Sequence, residues 1–181
     1  MIGHAPAKPI RIPKERKPLR RSKVTRSVRK GKQPRKQRKT TLAGLKRKLW
    51  DRCRQMTRDT WGPTCFTCGA AGLEGGNWQA AHFVNAGKSL AVRYCLENLR
   101  PGCYRCNISL RGNLAEYAVR LLDQIGEAKF RRLIRWSRVK VQLRAPEVRE
   151  LIAAADRGVA DYELHWEQTF GPRLDALAGA A

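Results

Sequence analysis

The sequence predicts an α+β fold: a small zinc-stabilised core containing a hairpin, flanked by helices and preceded by a disordered basic tail. Three observations carry that expectation. Two Cys-x2-Cys pairs, Cys65 with Cys68 and Cys103 with Cys106, offer four thiolates from two tight turns, the ligand set of a closed tetrahedral zinc site. Between the pairs lie two short β-like runs separated by the polar turn Asn85-Ala86-Gly87-Lys88. Apolar residues recur at helical spacing on both sides of this module, whereas the first 39 positions show no such pattern.

The tail is set apart by charge. Of 38 Lys and Arg residues, 19 fall in the first 48 positions, where Glu15 is the only acid, so this quarter carries +18 of the formal net charge of +23. Pro6, Pro9, Pro13, Pro18 and Pro34 interrupt it and apolar residues are sparse, so it buries too little surface to offset the entropy of ordering. A polyanionic partner is the expected consequence, with DNA first. A merely solvated, solubilising tail is the other reading. The basic residues lie on no amphipathic helix with bulky apolar anchors, which argues against a membrane surface. No apolar run reaches the roughly 18 residues of a membrane span. The N-terminus lacks the apolar segment of a secretory signal, so a reducing cytoplasm is expected and zinc is preferred to disulfides for the cysteine pairs.

From Thr41 the character changes. Leu42, Leu45, Leu49, Cys53 and Met56 predict a helix of about 16 residues, capped by Thr40 or Thr41 and ended before Trp61-Gly62-Pro63. Its basic residues Lys46, Arg47, Lys48, Arg52 and Arg54 suit either solvent or a phosphate backbone. Trp78 to Phe83 and Ala91 to Cys95 are the expected strands, with His82 on the first. Leu114, Tyr117, Leu121 and Leu122 predict a helix ending near Gly126, and a second covers Glu127 to Arg138. A third begins after Pro146 and runs past Tyr162. The expected organisation is a tail over 1–39, a core with its leading helix over 40–126, and a helical extension over 127–181. Cys53 and Cys95 fall outside both pairs and are expected to be buried thiols.

Phosphodiester hydrolysis needs a base to activate water and a divalent cation to stabilise charge. His82, Asn98 and Asn107 are the candidates to divide that work. Arg93, Arg100, Arg105 and Arg111 crowd the same module and are candidate phosphate clamps, because the guanidinium fork matches phosphate oxygens. Asn113 suits either a place near the scissile phosphate or, preferably, the cap of the following helix.

The run Asn98-Leu99-Arg100-Pro101-Gly102-Cys103-Tyr104-Arg105-Cys106-Asn107, continuing to Gly112-Asn113, resembles the second half of the HNH nuclease signature. More narrowly, Trp50 to Gly126 resembles the NinG family of lambdoid phages, also called Rap, recombination endonucleases acting on branched DNA. Arg58-Asp59, Ala81-His82-Phe83, Val92-Arg93-Tyr94, Tyr117 and Leu121-Leu122-Asp123-Gln124-Ile125-Gly126 add to that likeness. The Cys, His, Cys, Asn order is also similar to phage endonuclease VII.

The resemblance implies a ββα-metal, treble-clef-like core. In it His82 is the general base, Asn107 a ligand of a catalytic Mg²⁺ or Mn²⁺, and Asn98 the residue that orients the loop facing His82. It further implies a branched DNA substrate, work in the bacterial host cytoplasm and, since a four-way junction needs two symmetric incisions, a homodimer. The chain departs from many HNH enzymes at Ala81, where they carry a carboxylate. Glu97, Glu116 or water would have to complete the cation's shell. Two other functions fit the same residues: an HNH enzyme acting on linear duplex, and a non-catalytic zinc protein that only binds nucleic acid.

Overall fold

The computed structural model describes residues 40–180. The basic tail over 1–39 lies outside them. Helix α1 spans Leu42–Trp61, with the Thr41 hydroxyl accepting from the Gly44 N–H at 3.2 Å. Leu45, Leu49, Cys53 and Met56 form its buried stripe. The helix is longer than expected because no residue leaves helical geometry until Gly62, whose φ of +67° and N–H bond to the Arg58 carbonyl end it.

Strand β1, Trp78–His82, pairs antiparallel with β2, Leu99–Cys103, in a register that sets Trp78 opposite Cys103 and His82 opposite Leu99. The second strand therefore lies downstream of the expected Ala91 to Cys95. Those residues form bends whose Ala91, Val92, Tyr94 and Cys95 are buried, and a short buried apolar run does not by itself distinguish a strand from a packed loop. Pro101 and Gly102 hid the true strand. In a two-stranded sheet both strands are edges, so a proline is tolerated, and the Pro101 carbonyl still accepts from the Phe66 N–H at 2.8 Å. The polar turn at Asn85 forms as expected, with its side chain accepting from the Gly87 N–H.

A π turn over Arg105–Ser109 follows β2, and α2 then runs Leu114–Ser137, broken at Gly126, where φ is +79°. The long last helix that was expected is divided at Gly158 (φ +135°) into α3, Ala145–Arg157, and α4, Val159–His165, and a second π turn, Trp166–Phe170, leads to α5, Gly171–Gly179. Among the described residues, no helix is long and apolar enough to cross a membrane.

Two apolar clusters hold these elements. The larger joins Leu49 and Cys53 of α1 to Tyr117, Leu133 and Trp136 of α2, Leu151 of α3 and Tyr162 of α4. The helices after Gly126 thus share a core with the leading helix. The smaller cluster gathers Leu73, Trp78 and Ala80 around Cys65, Cys103 and Cys106. Trp50 packs against both.

Candidate metal centre and adjoining groove

The ligand atoms of Cys65, Cys68, Cys103 and Cys106 all lie within 4.8 Å of one another. Zinc at about 2.3 Å from each of four tetrahedral sulfurs sets neighbouring sulfurs about 3.8 Å apart, and the Cys68 and Cys103 sulfurs are separated by 3.8 Å. The first pair comes from the turn after Pro63, closed by the Gly69 N–H bonding to the Cys65 carbonyl at 2.9 Å, and the second from the end of β2 and the turn beyond it. Backbone amides face the sulfurs, Cys103 N–H toward Cys65 Sγ at 3.3 Å and Cys106 N–H toward Cys103 Sγ at 3.4 Å.

Burial pushes the Cys65 thiol up, but hydrogen bonds from Thr67 and from the amides of Cys68, Cys103 and Thr67 outweigh it and bring the group down to about 6. Burial drives Cys106 up to about 12. Four crowded thiols resist losing every proton unless a cation shares their charge, so this cluster can hold a structural metal such as zinc, and its four protein donors complete the shell. Cys53 and Cys95 lie outside it, buried, with both thiols pushed up to about 12 by desolvation.

Beside the cluster lies an open groove of about 410 Å³ lined by Trp50, Arg54, Trp78, Gln79, His82 and Asn107, together with Gly75, Gly76 and Ala80. His82 and Asn107, far apart in sequence, therefore meet on one surface. Trp50 and Arg54 stand one turn apart on α1, and Arg58, a further turn on, places its guanidinium 4.6 Å from the centre of the Trp78 ring. The His82 ring stacks on Trp50 at 4.9 Å and 16°. Its Nε2 is 3.0 Å from the Arg93 carbonyl oxygen. A carbonyl only accepts, so Nε2 carries the proton and Nδ1 is the basic nitrogen. Burial holds the imidazole below its ordinary value of 6.5; the Arg93 carbonyl bond opposes this and the Arg93 charge adds to it. The ring is neutral at neutral pH.

Asn98 does not reach the groove. It is fully buried, its Oδ1 accepting from the Val84 N–H at 2.7 Å and its Nδ2 donating to the carbonyls of Val84 and Val92. Such a residue positions the loop that carries the Arg93 carbonyl to His82. Arg100 overturns its expected role as a phosphate clamp. Only 3% exposed, it bonds through Nε to Gln124 at 2.6 Å and through its Nη1 to the carbonyls of Leu96, Glu97 and Leu99, with Trp61 stacked against it. Buried carbonyls at the head of β2 need a donor, and this guanidinium supplies it.

Arg105 and Arg111 are exposed, and Arg93 is half-buried. Asn113 takes the N-cap place of α2, but with φ +46° its side chain makes no capping bond. Of the acids considered for the cation, Glu97 pairs with Lys129 and Arg132, and Glu116 pairs with Arg120. Neither lines the groove. Sequence reasoning missed Trp50 and Gln79. Trp50 sits at the margin of an apolar stripe, where spacing suggests only packing, and strand alternation puts Gln79 on the face opposite His82.

A family model described as Bacteriophage Lambda NinG protein matches residues 7–163. The ninG protein of Escherichia phage 933W is 32% identical over 63 residues, which are 35% of this chain and 30% of the relative. That of Salmonella phage P22 is 33% identical over 64 residues, with the same shares, and that of Escherichia phage lambda is 32% identical over 63. The chain thus spans about 30% of the length of the curated relatives it matches. No solved structure matches.

Proposed function

The chain belongs to the NinG family, and we propose that it is a metal-dependent, HNH-type endonuclease that cuts Holliday junctions or other branched DNA. The observation that carries this reading is the meeting of His82 and Asn107 in one groove against the cysteine cluster. The two strands and the turn bearing Asn107 support a ββα-metal core, with zinc fixing the ends of β2 and the turn beyond it. His82 is the base: burial keeps it neutral, the Arg93 carbonyl sets its tautomer, and stacking on Trp50 fixes its plane. Asn107 is an oxygen donor suited to a hard cation such as Mg²⁺ or Mn²⁺. Such a cation, when bound, stabilises negative charge developing at the phosphate. Arg54 borders the same groove and Arg105 and Arg111 are exposed nearby in sequence, a set suited to phosphate oxygens.

Phosphate binding makes affinity salt-dependent. With roughly six to ten contacts, it falls about 10³- to 10⁵-fold between 50 and 200 mM salt. Two symmetric incisions across a junction call for a homodimer.

The test is His82→Ala on a synthetic four-way junction, alongside a linear duplex of the same sequence, in Mg²⁺ or Mn²⁺. Binding is retained and cleavage falls about 10²- to 10⁴-fold, the usual worth of a general base. Undiminished cutting by the variant sinks the site assignment. A wild-type preference for linear duplex replaces the junction substrate, and binding without cutting by the wild type leaves a zinc-dependent nucleic-acid-binding protein.

A further inference from the structure

The basic residues of α1 do not share one environment. Lys48 and Arg52 turn toward α3, where both pair with Asp156, at 3.8 and 2.6 Å. Arg47, Arg54 and Arg58 are exposed and have no ion-pair partner among the described residues. At about 100° per residue, positions 47, 54 and 58 fall within about 40° of one another round the helix, with 48 and 52 about 80° or more away. The exposed three therefore form a stripe. At about 1.5 Å per residue it is about 16 Å long, with steps of about 10 and 6 Å.

This stripe passes the groove. Arg54 lines it beside Trp50, and Arg58 lies 4.6 Å from the ring centre of Trp78, which lines it too. Arg47 extends the stripe about two turns toward the start of the helix. Asp51, exposed and without an ion pair among the described residues, is the acid beside it, four positions from Arg47 and three from Arg54.

We propose that Arg47, Arg54 and Arg58 are a rail for the phosphates of a DNA duplex arm, which lies along α1 and brings one of its strands across the groove that holds His82. This rests on the DNA-binding part of the reading above and not on its catalysis. A strand of the duplex carries a phosphate about every 3.4 Å along the axis, so about five pass a stripe of this length and each arginine can meet one. The guanidinium fork matches their oxygens. A strand of evenly spaced charge engages all three in any register, whereas the scattered carboxylates of an acidic protein do not. The face bearing Lys48 and Arg52 is left out, because Asp156 already offsets it.

The experiment measures binding of zinc-loaded full-length protein to a fluorescent linear duplex and to a four-way junction, by anisotropy at increasing salt, with no further divalent cation so that the DNA stays intact. Two double variants remove equal charge: Arg47→Ala with Arg58→Ala, and Lys48→Ala with Arg52→Ala. The first is expected to lower the slope of log affinity against log salt by about two on both DNAs, about one for each phosphate contact. The second is expected to leave it unchanged. Because each loses two positive charges, general attraction falls alike in both and the difference reads contact. Asp51→Asn is expected to tighten binding about two- to fivefold, the worth of a surface charge pair.

Retained zinc and circular dichroism establish that each variant folds. Should the first double variant not fold, Arg47→Ala alone, far from Trp78 on the helix, is expected to lower the slope by about one. Equal slopes for the two folded double variants overturn the rail, as does an unchanged slope in folded Arg47→Ala or a change confined to the junction. Wild-type cleavage in Mg²⁺ or Mn²⁺ is scored separately. A wild type that cuts while the double variants bind alike removes the rail alone. One that cuts neither DNA while the slopes differ as expected removes the nuclease reading and keeps the rail.

Discussion

The cysteine cluster and the groove beside it share β1, β2 and the turn after them, yet they are built on opposite principles. The cluster brings four ionisable soft donors within 4.8 Å, so it can satisfy a metal with no outside ligand. The groove brings a half-buried imidazole, two amides and a guanidinium to an open surface. A structural centre is best closed and self-sufficient. A groove that faces solvent, by contrast, stays open to a ligand from outside the chain.

The largest effect that divides them is metal removal. Cys103 closes β2 opposite Trp78 and is 6% exposed within the smaller apolar cluster. Cys103→Ser, or a strong chelator, is expected to abolish the folded module, since structural zinc in small modules contributes on the order of 10 kcal/mol. Zinc content and thermal unfolding measure this. A variant that loses its zinc while keeping its melting temperature would show that the helical core alone carries the strands. His82→Ala, by contrast, should leave zinc content intact and lower the melting temperature far less than Cys103→Ser, since it removes one stacked, hydrogen-bonded ring and no metal ligand.

A smaller effect separates the arginines. Arg100→Ala removes a buried guanidinium and strands the carbonyls of Leu96 and Leu99. Leaving a buried acceptor without its donor costs about 1 to 3 kcal/mol. It is expected to lower the urea midpoint and to leave unchanged the slope of DNA affinity against salt. Arg105→Ala should do the reverse, reducing that slope by about one and leaving the midpoint where it was. Matching behaviour of the two variants would erase the distinction between strut and clamp. Gly102→Ala comes next: its 2.9 Å approach to the Ala81 Cβ is overpacking worth about 1 to 3 kcal/mol, read in the same urea titration.

These contrasts mark what sequence could and could not convey. Cysteine spacing, the Thr41 cap and the Gly126 break are local, because each depends on residues a turn or two apart, and each was legible. The position of β2 was not, since Pro101 and Gly102 argue against a strand until the partner and the edge are known. Arg100 looked like Arg105 for the same reason. Both are arginines next to a knuckle, and only packing against Gln124 and Trp61 turns one inward. Gln79 escaped notice because its importance is a hydrogen bond to Asn107, 28 positions away.

The smallest effect concerns protons. Burial holds His82 below 6.5 in the folded chain, so the neutral, base-competent form persists to lower pH than in an exposed histidine. The acid limb of kcat/KM, which reports the free enzyme, should therefore fall below pH 6.5. Stability follows the same sign. Between the folded value and 6.5 the unfolded chain binds more protons than the native one, so His82 contributes a loss of stability as pH falls through that window and nothing further above it. The stack against Trp50 is part of that burial. Trp50→Ala should hydrate the ring, raise its pKa toward 6.5, move the acid limb up with it and narrow the window of pH-dependent stability. Arg93→Lys keeps the carbonyl that orients Nε2 and should leave the limb nearly in place. An acid limb that stays fixed in Trp50→Ala would mean that desolvation by the tryptophan does not set the base, and the contrast between a closed metal site and a wettable, tunable groove would lose its second half.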